Sequence, residues 1–316
     1  MTTPAVSLVV TAFNHGRFVE QCLDSVAAQT FRDFELVVVD DCSTDNSAAR
    51  IRSWLDRTGT PAAFLANERN RGICASRNLA LRHCQGEFFA SLSGDDFYEP
   101  DKLARQYEHL RTLGPSVAGV FSDMRIVDEE SNEISTWFAS GRPPAEGHIF
   151  GDIVRRNFLP APTVMTRRAL LEEVGGYDET LAYEDLDMWL KLLDHHELRF
   201  VPGRLVNYRF LATALSRNPA YELRIRETRA RVLLKWLGRD PADDEAILRL
   251  AWGNGRRALA VDPVVGRRIL AAVQAARPTA GRRASLVLSR VPGVPAALRT
   301  AFAWTDRAHP RSLTPN

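Results

Sequence analysis

The sequence predicts an α/β fold in which a doubly wound, mostly parallel sheet carries helices on both faces. Short apolar runs rich in Val, Leu and Phe recur over the first 127 residues without polar alternation, which is typical of strands buried on both faces. Segments with helical periodicity separate these runs and are long enough to cross over between parallel strands. With 316 residues, 45% of them hydrophobic, the chain can bury the core of one large domain or of two ordinary ones.

Strands and helices alternate along the first half of the chain. The apolar runs predict strands at 7–13, 35–39, 61–66 and 87–92, and a further strand within 117–127. The 3.6-residue periodicity predicts helices at 18–29, 45–57, 73–83 and 100–113.

The second half is less regular. Residues 128–147 lack periodicity and are expected to form a surface loop. The elements expected after it are strands at 163–166, 198–201 and 205–210 and helices at 167–174 and 183–194. From Pro219 onward the pattern is helical, with helices expected at 221–237, 243–260, 263–276 and 282–290.

Charge is distributed unevenly along the chain. The formal net charge is only +2, yet the stretch from Arg249 to the C-terminus contains 12 arginines and 2 aspartates. A basic region of this kind favours an anionic lipid surface or a phosphorylated acceptor. Nucleic acid is not expected as a partner, because aromatic residues are not interleaved with these arginines.

Cysteine, histidine and hydropathy patterns exclude several classes of protein. Cys22, Cys42, Cys74 and Cys84 have no CxxC spacing and are expected to be reduced residues in or near the core. His15 shows no metal-ligand spacing and is expected to be a surface or cap residue. No apolar segment approaches about 20 residues and the N-terminus lacks a basic n-region, so the cytoplasm is the expected compartment.

Three acidic pairs lie where predicted strands end or where a predicted helix begins. The pairs are Asp40-Asp41, Asp95-Asp96 and Glu184-Asp185. Because the carboxyl ends of parallel strands meet at one edge of a sheet, these side chains should converge. Mg²⁺ typically binds one or two carboxylates together with substrate phosphates, so the cluster indicates a nucleoside-diphosphate ligand. No P-loop or GxGxxG motif accompanies it, and each pair alone is equally typical of a solvated turn or a helix N-terminus.

Six motifs in the right order and spacing resemble the family-2 glycosyltransferases of the GT-A fold. They are Val10-Thr11-Ala12-Phe13-Asn14, Asp40-Asp41-Cys42-Ser43-Thr44-Asp45, Asn70-Arg71-Gly72 with Ala75-Ser76-Arg77-Asn78, Ser93-Gly94-Asp95-Asp96, Gly175-Gly176-Tyr177-Asp178 and Glu184-Asp185-Leu186-Asp187-Met188-Trp189-Leu190. The resemblance covers residues 6–216. It implies a GT-A catalytic domain at 1–217, with a nucleotide-binding half at about 1–127 and an acceptor half at about 128–217. A basic helical region, 218–316, follows.

The resemblance also implies a role for each acidic pair that it covers. Asp185 would be the general base, with Glu184 beside it. Asp95 and Asp96 would bind Mn²⁺ or Mg²⁺.

A nucleotide-sugar site is implied in the same way. Thr11 and Phe13 would line the nucleobase pocket, Asp40 would accept a hydrogen bond from the base, and Arg77 would contact the base or a phosphate. The remaining residues of the implied site are Ala12, Asn14, Asp41, Asn70, Gly72, Ser93, Gly94, Asp95, Asp96 and Arg209.

Two positions depart from the family pattern. The family motif usually begins with Asp where this chain has Ser93, and a histidine often stands where this chain has Leu211. Both changes remove charge or a ligand, so a weakly held metal is expected, with Arg209 carrying more of the diphosphate charge. The alternative for Arg209 is an arginine on a surface strand.

The implied activity is inverting transfer of a sugar from a nucleotide-diphosphate sugar, a UDP-sugar in the first instance. The acceptor would be a hydroxyl of a glycan or lipid-linked glycan in bacterial surface polysaccharide synthesis. One alternative is a sugar nucleotidyltransferase, which would need a Gly-rich basic loop that residues 11–17 do not provide. The other is a catalytically silent nucleotide-binding relative, which Ser93 and Leu211 leave open.

The C-terminal helices have two interpretations. Apolar residues among the arginines favour peripheral docking on the inner face of the plasma membrane. These residues are Leu286-Val287-Leu288, Val294 and Phe302-Ala303-Trp304. The second interpretation is a helical bundle that packs on the catalytic domain or forms a homodimer.

Overall fold

The computed structural model describes residues 3–138, 144–211, 214 and 217–290. Nine strands form one sheet within these residues. They are β1 (Val6–Ala12), β2 (Phe34–Asp40), β3 (Ala63–Ala66), β4 (Phe88–Ser93), β5 (Phe97–Tyr98), β6 (Val117–Val127), β7 (Glu133–Thr136), β8 (Val164–Arg167) and β9 (Glu197–Arg209).

The strand order confirms a mostly parallel, doubly wound sheet. The order is β3-β2-β1-β4-β8-β6-β9-β5, and β7 pairs with β6. β1, β2, β3 and β4 are parallel, β8 lies antiparallel between β4 and β6, and β9 is parallel to β6. β5 and β7 are short antiparallel additions.

Helices cover both faces of this sheet. The helices are α1 (Val19–Ala27), α2 (Ser47–Thr58), α3 (Ile73–Leu81), α4 (Lys102–Leu110), α5 (Phe150–Arg155), α6 (Arg168–Glu173), α7 (Asp185–Leu193), α8 (Glu222–Lys235), α9 (Pro241–Val261), α10 (Pro263–Ala276) and α11 (Ala280–Leu288). Successive residues of β1 enter different cores: Leu8 packs with α1 and α2 residues, and Val9 packs with α3 and α7 residues. Burial on both faces explains why these strands are mostly apolar and show no polar alternation.

The sequence prediction was wrong in four places. The predicted loop contains β7, and neither β5 nor α5 was expected. The two strands expected between 198 and 210 are one strand, β9, whose register with β6 shifts near Ser122 and Asp123. Pro202 and Gly203 look like a turn in sequence, but they form a bulge within β9. Val201 pairs with Ser122 and Arg204 with Asp123, and Gly203 between them takes a φ of +118°.

The C-terminal helices pack against the part of the chain that carries the sheet. Val232 and Leu233 of α8 and Ile247 of α9 belong to the same apolar cluster as Leu190 of α7. Lys235 Nζ reinforces this packing by binding Asp187 at 2.8 Å. The C-terminal helices therefore pack on the rest of the chain, as the bundle interpretation expects. No described helix is long and apolar enough to span a bilayer.

Several expectations about individual core residues are confirmed. Cys22, Cys74 and Cys84 are buried, Cys42 is half-buried, and all four thiols are free. A further core residue, Trp189, is buried and donates from Nε1 to Leu159 O at 2.8 Å. Of the apolar residues proposed to meet a membrane, Val287 and Leu288 are exposed, whereas Val294 and 302–304 lie outside the described residues.

Candidate active site

The carboxyl ends of three parallel strands lie side by side, as the sequence predicts. Thr11 pairs with Val39 of β2 on one side and with Ser93 of β4 on the other, and Ala12 pairs with Asp40. Backbone hydrogen bonds continue past the strand ends, because Gly94 N donates to Thr11 O at 2.8 Å. The sheet therefore fixes the acidic residues after β2 and β4 at one edge.

Asp40 is buried and already hydrogen-bonded by its own loop. Its carboxylate accepts from Ser43 Oγ at 2.6 Å and from Ser43 N at 2.9 Å. The amide of Asn14, a residue with φ of +57°, donates to the same Ser43 hydroxyl at 2.9 Å. Phe13 beside it is 37% exposed, so its ring is accessible at the rim. A nucleobase N–H would therefore share Asp40 with Ser43.

Asp41 holds the loop that leads into α3. One of its oxygens accepts from Asn67 Nδ2 at 2.7 Å and from Arg71 N at 2.9 Å, and the other accepts from Gly72 N at 2.8 Å. Gly72 has φ of +84°, which favours glycine at the start of the helix. Asp41 thus positions the loop containing exposed Asn70, and its oxygens are occupied in doing so.

Arg77 and Glu184 form a buried ion pair. Nη1 of Arg77 lies 3.0 Å from Glu184 Oε1, and the two side chains are 3% and 12% exposed. The Arg77 guanidinium also lies over the Tyr177 ring at 5.9 Å. The pair links α3, which follows the nucleotide-side strands, to the N-terminus of α7.

The surroundings of Asp185 raise the pKa of its carboxyl. Burial raises the pKa of its carboxyl to about 7, and the charge of neighbouring Glu184 adds to the effect. Asn157 Nδ2 donates to Asp185 Oδ1 at 2.8 Å, which favours the ionised form and orients the group. A carboxyl that titrates near neutral pH can accept a proton during a reaction.

Asp95 lies near His15, a residue that was not among the predicted site residues. Nδ1 of His15 is 3.7 Å from Asp95 Oδ1, and each of these two atoms is buried without a hydrogen-bond partner. Gly94 permits this approach, since a Cβ there would lie 3.1 Å from His15 Nδ1 and 3.2 Å from Ala12 Cβ. The backbone O of His15 accepts from Phe18 N at 2.8 Å and Val19 N at 2.9 Å, so His15 caps the start of α1 as expected, while its ring faces Asp95.

Arg209 is buried at the other side of the acidic pair. It is 1% exposed, so the interpretation as an arginine on a surface strand is wrong. Its backbone N donates to Asp96 Oδ1 at 2.8 Å. Its five side-chain N–H groups meet protein acceptors, which are Asp95 O, Asp128 O, Glu129 O, Gln21 Oε1 and Ser131 Oγ. Contact between this guanidinium and a diphosphate would have to displace one of these bonds.

The donor set at Asp95 and Asp96 fits a hard divalent cation. Asp95 Oδ1 is buried without a donor, and a bound cation would satisfy it. Burial and the charge of Asp95 raise the pKa of Asp96 well above its usual range. No group of three His, Cys, Asp or Glu side chains in the described ranges could form a complete protein cage. The pair therefore suits a cation whose remaining ligands come from phosphate and water.

Tyr98 lies within electrostatic range of Arg77 and of Asp96. The phenol of Tyr98, whose pKa burial raises well above its usual value, also responds to the charges of Arg77 and Asp96. Tyr98 OH donates to Ser91 O at 2.8 Å and fixes the ring beside the end of β4.

Comparison with known proteins identifies the family to which this fold belongs. Residues 7–175, more than half of the chain, match the model of "Glycosyl transferase family 2". The chain belongs to glycosyl transferase family 2. A putative teichuronic acid biosynthesis glycosyltransferase of Bacillus subtilis is 26% identical over 68% of this chain and 82% of its own length. The protein is a glycosyltransferase.

Two solved structures share the fold of this family-2 glycosyltransferase. One is Staphylococcus aureus TarS (residues 1–349) with UDP-GlcNAc, at a TM-score of 0.63 and 18% identity, covering 95% of this chain and 92% of that one. The other is a mannosyltransferase of Pyrobaculum calidifontis with GDP-Man and Mn²⁺, at a TM-score of 0.60 and 20% identity, covering 96% and 84%. The predicted GT-A fold is confirmed.

Sequence reasoning missed two polar residues at the site of this glycosyltransferase. His15 had an available signal, since it follows the end of the first predicted strand at the edge where the carboxylates meet. Asn157 had none, because it lies in an irregular segment between α5 and β8 and reaches Asp185 only through the tertiary fold.

Proposed function

We propose that this glycosyltransferase moves a sugar, with inversion at the anomeric carbon, from a nucleotide-diphosphate sugar to an acceptor hydroxyl. The donor that we propose first is a UDP-sugar. The acceptor is a glycan or glycolipid of bacterial surface polysaccharide synthesis, in keeping with the name of the Bacillus subtilis relative. The observation that carries the proposal is Asp185, a half-buried carboxyl that Asn157 Nδ2 orients at 2.8 Å and whose pKa is raised to about 7.

Asp185 acts as the general base of a single displacement. A free hydroxyl is a poor nucleophile, so Asp185 takes its proton while the oxygen attacks the anomeric carbon and the nucleoside diphosphate leaves from the opposite face. Such proton transfer is worth about 10²–10⁴-fold in rate. Asn157 orients the carboxylate, and the Arg77 partner of Glu184 moderates the repulsion between Glu184 and Asp185.

Residues at the ends of β1, β2 and β4 bind the nucleotide. Phe13 offers an aromatic face and Asp40 an acceptor for the base. Asp95 and Asp96 would hold Mn²⁺ or Mg²⁺, which when bound offsets charge on the diphosphate. The GDP-Man and Mn²⁺ of the Pyrobaculum structure and the UDP-GlcNAc of the Staphylococcus structure support a metal and a nucleotide sugar as ligands.

A thermal-shift panel with UDP, GDP, dTDP and CDP, each with and without Mn²⁺ or Mg²⁺, tests the proposal. A ligand at about 100 times its Kd adds about 2.7 kcal/mol of apparent stability. We expect UDP to stabilise the protein most, with a further rise when metal is present. NMR of the product anomer then tests inversion. Nucleotide binding without transfer or donor hydrolysis would instead indicate a silent relative, and no stabilisation by any nucleotide would refute the donor site.

A further inference from the structure

A cavity rich in arginine lies between α8 and α9, outside the strand-end site. Its volume is about 580 Å³. Six of its lining residues are arginines, and Glu222 is the one acidic residue among the described lining. The arginines are Arg217, Arg226, Arg229, Arg249, Arg256 and Arg257. Guanidinium groups gathered in one concave space repel one another, so the cavity favours an anion.

Part of the positive charge of this arginine cavity is not neutralised by the described residues. Glu222 binds Arg226 at 2.5 Å, which accounts for one guanidinium. Nε of Arg229 is buried and donates no hydrogen bond. Arg249 and Arg257 are exposed and form no ion pair or hydrogen bond with the described residues. Outside the cavity, Arg268 of the same helical region is paired with an acid, Glu227, at 2.6 Å.

Two walls of the cavity connect it to the candidate active site. Arg217 lies over the Phe210 ring at 3.6 Å and donates to Tyr208 OH at 3.4 Å, and Tyr208 is within electrostatic range of Asp96. Arg229 lies within electrostatic range of Tyr183, the residue just before Glu184. The cavity therefore adjoins the end of β9, next to Arg209 of the candidate active site.

We propose that the arginine cavity binds a phosphate or diphosphate group carried by the acceptor. Planar guanidinium groups match the oxygens of phosphate in two-pronged hydrogen bonds, and several of them together suit a dianion better than a neutral sugar. The donor diphosphate is assigned to the strand-end carboxylates and their cation, so the cavity is a second anion site. This inference rests on the proposed sugar transfer, and it narrows the acceptor to a phosphorylated or diphosphate-linked glycan.

Inorganic pyrophosphate is the probe, measured by calorimetry on the full chain in metal-free buffer with EDTA. We expect binding at millimolar concentration or better that weakens with added salt. The double variant Arg249→Gln/Arg257→Gln should weaken it by about tenfold or more, because two charge-assisted donors are lost. The matched control, Arg224→Gln/Arg283→Gln, removes the same charge outside the cavity and should stay within about twofold. No binding, or equal weakening in both double variants, overturns the proposal.

Two further arms identify the source of the phosphate and separate this inference from the proposed function. Asp95→Asn should keep pyrophosphate binding, and its loss there would place the probe at the donor site and overturn the proposal. Co-sedimentation with phosphatidylcholine vesicles, with and without phosphatidylglycerol, should not differ between the two double variants. Loss confined to the cavity variant would assign the cavity to lipid headgroups instead. Pyrophosphate binding without any nucleotide shift would refute sugar transfer alone, and a nucleotide shift without pyrophosphate binding would refute the cavity alone.

Discussion

The chemistry available to single residues depends mostly on how they are buried. Asp185 and Asp187 are two positions apart on α7, yet they differ in surroundings. Asp187 is paired with Lys191 at 3.0 Å and Lys235 at 2.8 Å, whereas Asp185 has a neutral amide partner, Asn157, and a like charge beside it. Only Asp185 is therefore suited to exchange a proton near neutral pH.

Asp185→Asn should reduce turnover by about 10²–10⁴-fold, because the amide keeps the shape of the side chain but cannot take a proton. The nucleotide-induced rise in melting temperature should persist. In the wild type, turnover should rise with pH through about 7, since the base must lose its proton before it can act. Asp194→Asn, at the other end of the same helix, is the control. Unchanged turnover in Asp185→Asn would exclude this residue as the base.

Asn157→Leu should move the acidic limb of the pH–rate profile to higher pH. The Asn157 amide hydrogen bond stabilises the ionised form, so its removal raises the pKa of Asp185 further. Turnover should fall near pH 7 and recover in more alkaline buffer, with nucleotide affinity unchanged. A uniform loss at every pH, with the limb in its original place, would mean that Asn157 acts on packing and not on the base.

At the scale of single residues, the sequence predicts which acidic side chains lie near one another. It does not predict the hydrogen bonds and ion pairs at the site. Asp40 and Asp95 were selected because they follow parallel strands, a feature that is local in sequence. All five N–H donors of the Arg209 side chain bond to acceptors that lie 78 to 188 positions away along the chain. No local pattern in the sequence encodes such contacts. The same is true of the pair between Arg77 and Glu184.

The sequence predicts a strand or helix correctly where the residue pattern of that element alone indicates its type. The strands β1 to β4 and helices α1 to α3 carry apolar runs or helical periodicity that their tertiary contacts reinforce. β5 has two residues and exists because it pairs with Asn207 and Val206 of β9. Elements of this kind are created by their neighbours, which explains why sequence reasoning did not find them.

Helix α4 contains a lysine whose removal should stabilise the protein. Lys102 is completely buried, and its Nζ makes no hydrogen bond and lies over the Tyr98 ring at 4.1 Å. Burial lowers the pKa of Lys102 well below its usual range. Lys102→Met should raise the free energy of unfolding by about 1–3 kcal/mol, because it removes an unsatisfied buried polar group and keeps the chain length of the side chain.

The pH dependence of this effect has a defined sign. The folded protein binds fewer protons at Lys102 than the unfolded chain does, so wild-type stability rises with pH up to the ordinary lysine pKa of about 10.4. The advantage of Lys102→Met should therefore shrink as pH increases, as measured by urea unfolding. Lys191→Met is the control and should destabilise, because Lys191 binds Gly176 O and Asp187. A destabilised Lys102→Met would show that the ring contact outweighs burial.

At the scale of the whole molecule, the C-terminal helices and the sheet share one apolar core. Val232, Leu233 and Ile247 are fully buried in the cluster that includes Leu190 and Leu193. Polar contacts surround this packing, among them Arg155 with Asp243 at 2.9 Å. The boundary after residue 217 therefore marks where the family motifs end. The apolar packing that stabilises the fold continues across this boundary.

A chain that ends at Arg217 should consequently be much less stable than the full chain, although it retains every family motif. It loses the partners of the α7 face, and each large apolar side chain left without burial costs about 1.5–3 kcal/mol. We expect a lower melting temperature, increased binding of a hydrophobic dye and loss of the nucleotide shift at 37 °C. A chain that ends at Arg290 retains α8 to α11 and is the matched control. If the shorter chain instead melts at the temperature of this control, the helices form an independent unit and the shared core contributes little to the stability of the sheet.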